Sequence, residues 1–97
     1  MLRHLVMLKK KPETTEETVR EIMSRLEALQ GQIPGLLSVC CYRNLPSDRL
    51  VAYTFLLDMT MENIEALNVY MTHPAHVAVN TWMSPFLENR AVIDYEE

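Results

Sequence analysis

Hydrophobic positions follow two rhythms along this chain, a strand-like alternation and a helix-like recurrence, and together they mark out its elements. Residues 2 to 10 alternate: His4, Val6 and Leu8 fall on one side, and Arg3, Leu5, Met7 and Lys9 on the other. Both sides are largely apolar, which predicts a strand covered on both faces. Thr14-Thr15-Glu16-Glu17 then reads as a capping box that starts a helix at Thr14, with acidic side chains at the positive end of its dipole. Val19, Ile22, Met23, Leu26 and Leu29 form one helical stripe, and Glu16 with Arg20 and Glu21 with Arg25 are spaced as solvent-face ion pairs. Gly31 predicts the end of that helix, and Ile33-Pro34-Gly35 a turn.

Residues 36 to 45 read as a second strand, with Val39, Cys41 and Arg43 opposite Cys40 and Tyr42. The stretch Asn44-Leu45-Pro46-Ser47-Asp48-Arg49 is a loop, and residues 50 to 58 are a third strand, apolar on both faces. Thr60 is expected to cap a second helix that buries Ile64, Leu67, Tyr70 and Met71. Pro74 stops this helix and suits the first position of the next one, which carries Val79, Trp82, Met83, Phe86 and Leu87 until Pro85 kinks or ends it. Residues 90 to 95 are the last strand.

The order β-α-β-β-α-α-β fits the split βαβ, ferredoxin-like plan: an α+β fold with a four-stranded antiparallel sheet and helices on one face. The other face is left bare and largely apolar. Such a face on a small protein predicts an interface, and its simplest closure is a twofold homodimer, sheet against sheet. At 97 residues the chain is expected to be a single domain spanning 1–97.

Composition narrows the function. A net charge of −4 disfavours nucleic acid and anionic membranes, and Lys9-Lys10-Lys11 is too short a basic run to reverse this. No segment is long enough to span a bilayer, and the N-terminal residues lack a signal peptide's apolar core. The adjacent Cys40 and Cys41 point to opposite faces of a strand, so no disulfide is expected between them, and a cytoplasmic location follows.

The candidate chemistry is histidine. All three histidines lie in two places: His4 in the first strand, and His73 and His76 around the proline corner His73-Pro74-Ala75-His76. Imidazole moves protons near neutral pH. Against this, His4 is equally readable as a buried ring satisfied by a carbonyl or by Asp94. His73 reads chiefly as a corner residue whose ring bonds the end of the second helix. A metal site would need His4, His73 and His76 together, and neither a metal nor a cofactor is expected. Cys40 and Cys41 read as core packing, Trp82, Met83, Phe86 and Met71 as core or as a ligand-pocket wall, and Arg3 and Arg43 as ligand anchors or strand-end charges.

With these residues placed, the chain resembles the stress-responsive A/B barrel (Dabb) family of dimeric α+β barrels. The matching stretches are Arg3-His4-Leu5-Val6-Met7-Leu8-Lys9, Pro34-Gly35, Tyr70-Met71-Thr72-His73-Pro74-Ala75-His76 and Asp94-Tyr95. The resemblance implies a homodimer through the sheet face. Because one branch of the family contains plant polyketide cyclases, it also implies His4 and His76 as catalytic residues and Tyr70 as a pocket residue. A second pocket tyrosine of that branch falls on Leu26. His73 and Trp82 join Tyr70 as expected substrate-binding residues for a small apolar or aromatic ligand. Three functions remain open: acid/base chemistry of a cyclase or lyase kind on a carbonyl-bearing substrate, a noncatalytic stress-related ligand-binding or structural dimer, and a cofactor-independent oxygenase-like enzyme.

Overall fold

A computed structural model describes residues 1–97. Four strands, β1 (Leu2–Lys10), β2 (Leu36–Arg43), β3 (Phe55–Met61) and β4 (Leu87–Glu96), form one sheet in the order β2-β3-β1-β4, with every neighbouring pair antiparallel. Three α-helices, α1 (Glu16–Glu27), α2 (Ile64–Thr72) and α3 (Pro74–Met83), cover one face, and a 3-10 turn at Ser84–Phe86 leads into β4. This is the ferredoxin-like arrangement expected.

The pleat sorts the side chains. Leu2, His4, Val6 and Leu8 of β1 and Phe55, Leu57, Met59 and Met61 of β3 are buried on the helix-covered face, as are Val19, Ile22 and Leu26 of α1. Arg3, Leu5 and Met7 point to the bare face beside Leu56 and Asp58 of β3 and Ile93 and Tyr95 of β4. The helices leave the outer edge of the sheet uncovered: β4 pairs only with β1, and its residues Arg90, Val92 and Asp94 are exposed.

Several boundaries differ from the sequence reading. The third strand runs from 55 to 61, not 50 to 58. Its alternating apolar positions continue through Met59 and Met61, while upstream of Thr54 the partner strands run out: β2 ends at Arg43, and the Lys10 N–H is taken by Thr54 Oγ1 (2.9 Å). Leu50 and Val51, left without a ladder, lie exposed in the connection. Thr60 is consequently a strand residue, and Asn63 caps α2, its Oδ1 accepting from the Ala66 N–H (2.9 Å). At α1 the cap is Thr15, which accepts from the Thr18 N–H, whereas Thr14 turns inward and donates to the Phe86 carbonyl (2.8 Å). Helix α1 ends at Glu27, before Gly31, and β2 at Arg43. Glu21 pairs with Arg25 as expected (2.6 Å), but Glu16 reaches across to Arg43 rather than to Arg20.

Candidate functional site

The helix corner and β1 meet over a cavity of about 360 Å³. Its floor comes from β1 and β4, which antiparallel pairing sets side by side: His4 opposite Asp94, Val6 opposite Val92, Leu8 opposite Arg90. Its roof comes from Leu67, Tyr70 and Met71 of α2 and His76, Asn80 and Met83 of α3. Ligand sites of this kind, mostly apolar with a few convergent polar groups, are common in small-molecule binders.

His4, Tyr70 and His76 come together here in a row. The Tyr70 ring lies between the two imidazoles, its centroid 5.6 Å from that of His4 and 4.1 Å from that of His76. His4, only 6% exposed, donates from Nδ1 to Asp94 Oδ1 (2.5 Å). The acceptor-only carboxylate fixes the tautomer with the proton on Nδ1 and leaves the Nε2 lone pair free. His76 Nδ1–H donates to the Met71 carbonyl (3.3 Å), which again leaves Nε2 as the basic nitrogen. The proline at the start of α3 makes this geometry: α2 ends at Thr72, and His76 sits in the first turn of α3, where its ring folds back over the end of α2.

Burial holds His76 below its ordinary value of 6.5; the Met71 carbonyl opposes this, and positive charge on His4 and Arg90 adds to it. The ring is therefore neutral, and a base, at neutral pH. Burial pushes the Tyr70 phenol well up, so it stays protonated and can donate.

His73 does not line this cavity. Its Nδ1 accepts from the Ala75 N–H (3.1 Å), making the ring the N-terminal cap of α3 rather than a ligand of the α2 carbonyls, so the three histidines do not converge. Trp82 also lies outside the cavity wall: it meets Phe86 edge-on at 5.5 Å and takes the Arg25 guanidinium over its face at 3.9 Å, tying α3 to α1. Leu26 is fully buried in the core. Cys41 is half-buried and its thiol is pushed up to about 12, chiefly by burial, which makes it a poor nucleophile. Arg3 is engaged by Asp58 and Glu97, and Arg43 by Glu16 and the Thr54 carbonyl. The arginine that does reach the cavity is Arg90, which with Asn80 and Asn68 went unnoticed in the sequence. Nothing in the alternation of β4 singles out Arg90; its register opposite Leu8 is what places it at the cavity, and Asn68 and Asn80 reach it from α2 and α3.

A four-stranded antiparallel sheet with helices on one face places the chain among the small ferredoxin-like α+β proteins. The chain belongs to the stress responsive A/B barrel domain family, whose model matches residues 2–97. It is 30% identical over 95 residues to olivetolic acid cyclase of Cannabis sativa, the match covering 97% of this chain and 94% of that protein. A crystal structure of an Arabidopsis thaliana protein superposes with a TM-score of 0.90 at 26% identity, over 100% of this chain and 95% of the other. A dimeric ferredoxin-like protein from a Jannaschia species superposes with a TM-score of 0.82 at 27% identity, over 99% and 98%. No helix is long and apolar enough to cross a membrane.

Proposed function

We propose that this protein is a homodimeric acid/base enzyme of the cyclase kind, acting on a small carbonyl-bearing substrate in the cavity under the helix corner. The observation that carries this reading is the row His4–Tyr70–His76, with Asp94 bonded to His4, running from the floor to the roof of one cavity. The similarity to olivetolic acid cyclase adds to it.

In this reading His76 Nε2 takes a proton from the carbon next to a carbonyl. The C–H electron pair moves into the enolate, and the Tyr70 hydroxyl donates a hydrogen bond to the oxygen where charge develops. The enolate carbon then attacks a second carbonyl of the same molecule. A C–C bond forms, the π electrons of that carbonyl pass to its oxygen, and protonated His4, stabilised by Asp94, returns a proton there. His76 then releases the proton it removed to water and His4 takes one back from water, so that both rings return to their starting states. Both imidazoles thus do proton work, and Val6, Leu8, Leu57 and Met83 offer an apolar wall to the body of the substrate.

The first half of this sequence can be read without the natural substrate. In D2O, protein-dependent deuteration of the methyl group of acetophenone, followed by proton NMR, should fall by about 10²-fold or more in His76→Ala. Exchange that survives this substitution would remove His76 as the base. Binding of acetophenone without any catalysed exchange would favour a noncatalytic ligand-binding dimer.

A further inference from the structure

Arg90 is the permanent cation of the cavity, and it is held in an unusual way. Its Nη1 donates to Asn80 Oδ1 (2.8 Å) and its Nη2 to Ser84 Oγ (3.0 Å). Ser84 Oγ in turn donates its own hydrogen to the Asn80 carbonyl (2.6 Å), so its lone pairs are left for the guanidinium. Both anchors are neutral. Arg3, Arg25 and Arg43 each pair with a carboxylate; Arg20, Arg49 and Arg90 do not, and of these three Arg90 alone lines the cavity. Two neutral oxygens take two of the five N–H donors of the fork, and the charge is left without a counter-ion.

We propose that Arg90, oriented by Asn80 and Ser84, is a specificity-determining residue that binds a carboxylate on the ligand, so that the substrate class is a carbonyl compound that also carries a carboxylate. This rests on the reading of the cavity as an acid/base site. An exposed strand arginine is ordinarily solvated and mobile. Here two side chains of the α3 segment fix the fork beside the same cavity as His4, Tyr70 and His76. A fork ordered in advance loses less entropy on binding, and a planar guanidinium matches a carboxylate with two parallel hydrogen bonds.

The placement along β4 separates the two ends of the ligand. Arg90 and Asp94 share one face of the strand four residues apart, about 13 Å between their Cα atoms. The negative charge of Asp94, engaged by His4, therefore sits at the opposite end from Arg90 and does not repel the bound carboxylate. Between them the floor is Val92 and Val6, apolar surface suited to the body of the ligand. A carboxylate at Arg90 thus leaves the carbonyl end to the Tyr70 and His4 side.

The test uses a pair of probes of one shape, 4-acetylbenzoate and its uncharged counterpart 4-acetylbenzamide, titrated into the full protein while the imidazole proton signals of His4 and His76 are followed by NMR. The carboxylate should bind about tenfold more tightly than the amide, or better. In Arg90→Gln the two should bind within about twofold of one another. Asn80→Ala keeps the charge but frees the fork; it should cut the preference severalfold, and it carries the test should Arg90→Gln fail to fold. Equal binding of the two probes to the wild type, or a preference that survives both substitutions, overturns the anchor while leaving the acid/base reading standing. Absence of any shift at either imidazole with both probes at millimolar concentration overturns the anchor together with the cavity as a binding site. A preference for the carboxylate that depends on Arg90, without deuteration of its acetyl group, keeps the anchor and removes the acid/base reading alone.

Discussion

Burial and neighbouring charge set the state of His76, and the consequences are measurable. Facing it are Tyr70, the Met71 carbonyl, His4 with Asp94, and Arg90. Its folded value lies below 6.5, so in the window between the two values the unfolded chain binds more protons than the folded one. Its contribution to stability is therefore fully present above 6.5 and is lost as the pH falls from there toward the folded value. An NMR titration should place the His76 midpoint below 6.5, and His76→Gln should flatten that part of the stability profile. At the other ring, Asp94→Asn keeps a side chain of the same shape but removes the carboxylate that stabilises a cationic His4. Because His4 acts only after the enolate has formed, the variant should leave acetophenone deuteration within about threefold of wild type at an unchanged melting temperature, and a loss as large as that of His76→Ala would place His4 in the first step as well. His4, Tyr70 and His76 were legible in the sequence because a His-Pro-x-His corner and a histidine inside an apolar strand are both unusual and match one family. Arg90 and Asn80 were not, because an arginine in an alternating strand reads as solvent-facing until its register against Leu8 is known.

At the level of elements, the sheet and helices were mostly written in the apolar periodicity, and the exceptions have local causes. The α1 stripe stood out because five apolar residues share one helical face, and Leu26 at its centre has no exposed surface. Leu26→Ala should cost roughly 2–5 kcal/mol in a denaturant titration, the spread depending on how far the core collapses around the missing atoms. The start of β3 is not marked in the sequence because Val51 and Tyr53 continue the alternation of the strand, and it is the end of β2 at Arg43, opposite Phe55, that closes the ladder there. Turn chemistry was read more reliably. Gly35 has a φ of +83°, and a Cβ there would lie 2.6 Å from the Ala66 Cβ, at the point where α2 crosses the start of β2. Gly35→Ala therefore combines a disfavoured backbone with a clash against a helix that can move little. It should destabilise the fold by more than about 1 kcal/mol, and a melting temperature unchanged from wild type would show that α2 can shift to accept it.

For the whole molecule, the bare face of the sheet is the largest feature that the chain leaves unexplained by its own packing. Leu5, Met7, Leu56 and Ile93 line a shallow, wholly apolar depression of about 300 Å³, with Tyr42 and Tyr95 exposed on the same face. Met7 is 44% exposed and Ile93 61%, values that make little sense for a surface meant to remain in water. One end of the face is polar: Arg3 pairs with Asp58 and Glu97, and its Nε is buried without a partner. A second copy related by a twofold axis would cover the apolar patch of each chain with that of the other, and the position of the Arg3 cluster at one end would bias the two sheets toward a single register. The face was predictable from sequence, because both sides of the first strand are apolar and three helices can cover only one of them. The fit between two such faces was not, since it depends on the twist of the assembled sheet. Sedimentation at micromolar concentration should give twice the chain mass. Leu5→Asp places a charge at the centre of the patch, where dimerisation would bury it unpaired, and should shift the protein to monomer without altering the helix-covered core. A wild-type monomer would remove the interface. A Leu5→Asp variant that stays dimeric would move it to another surface, such as the uncovered edge of β4.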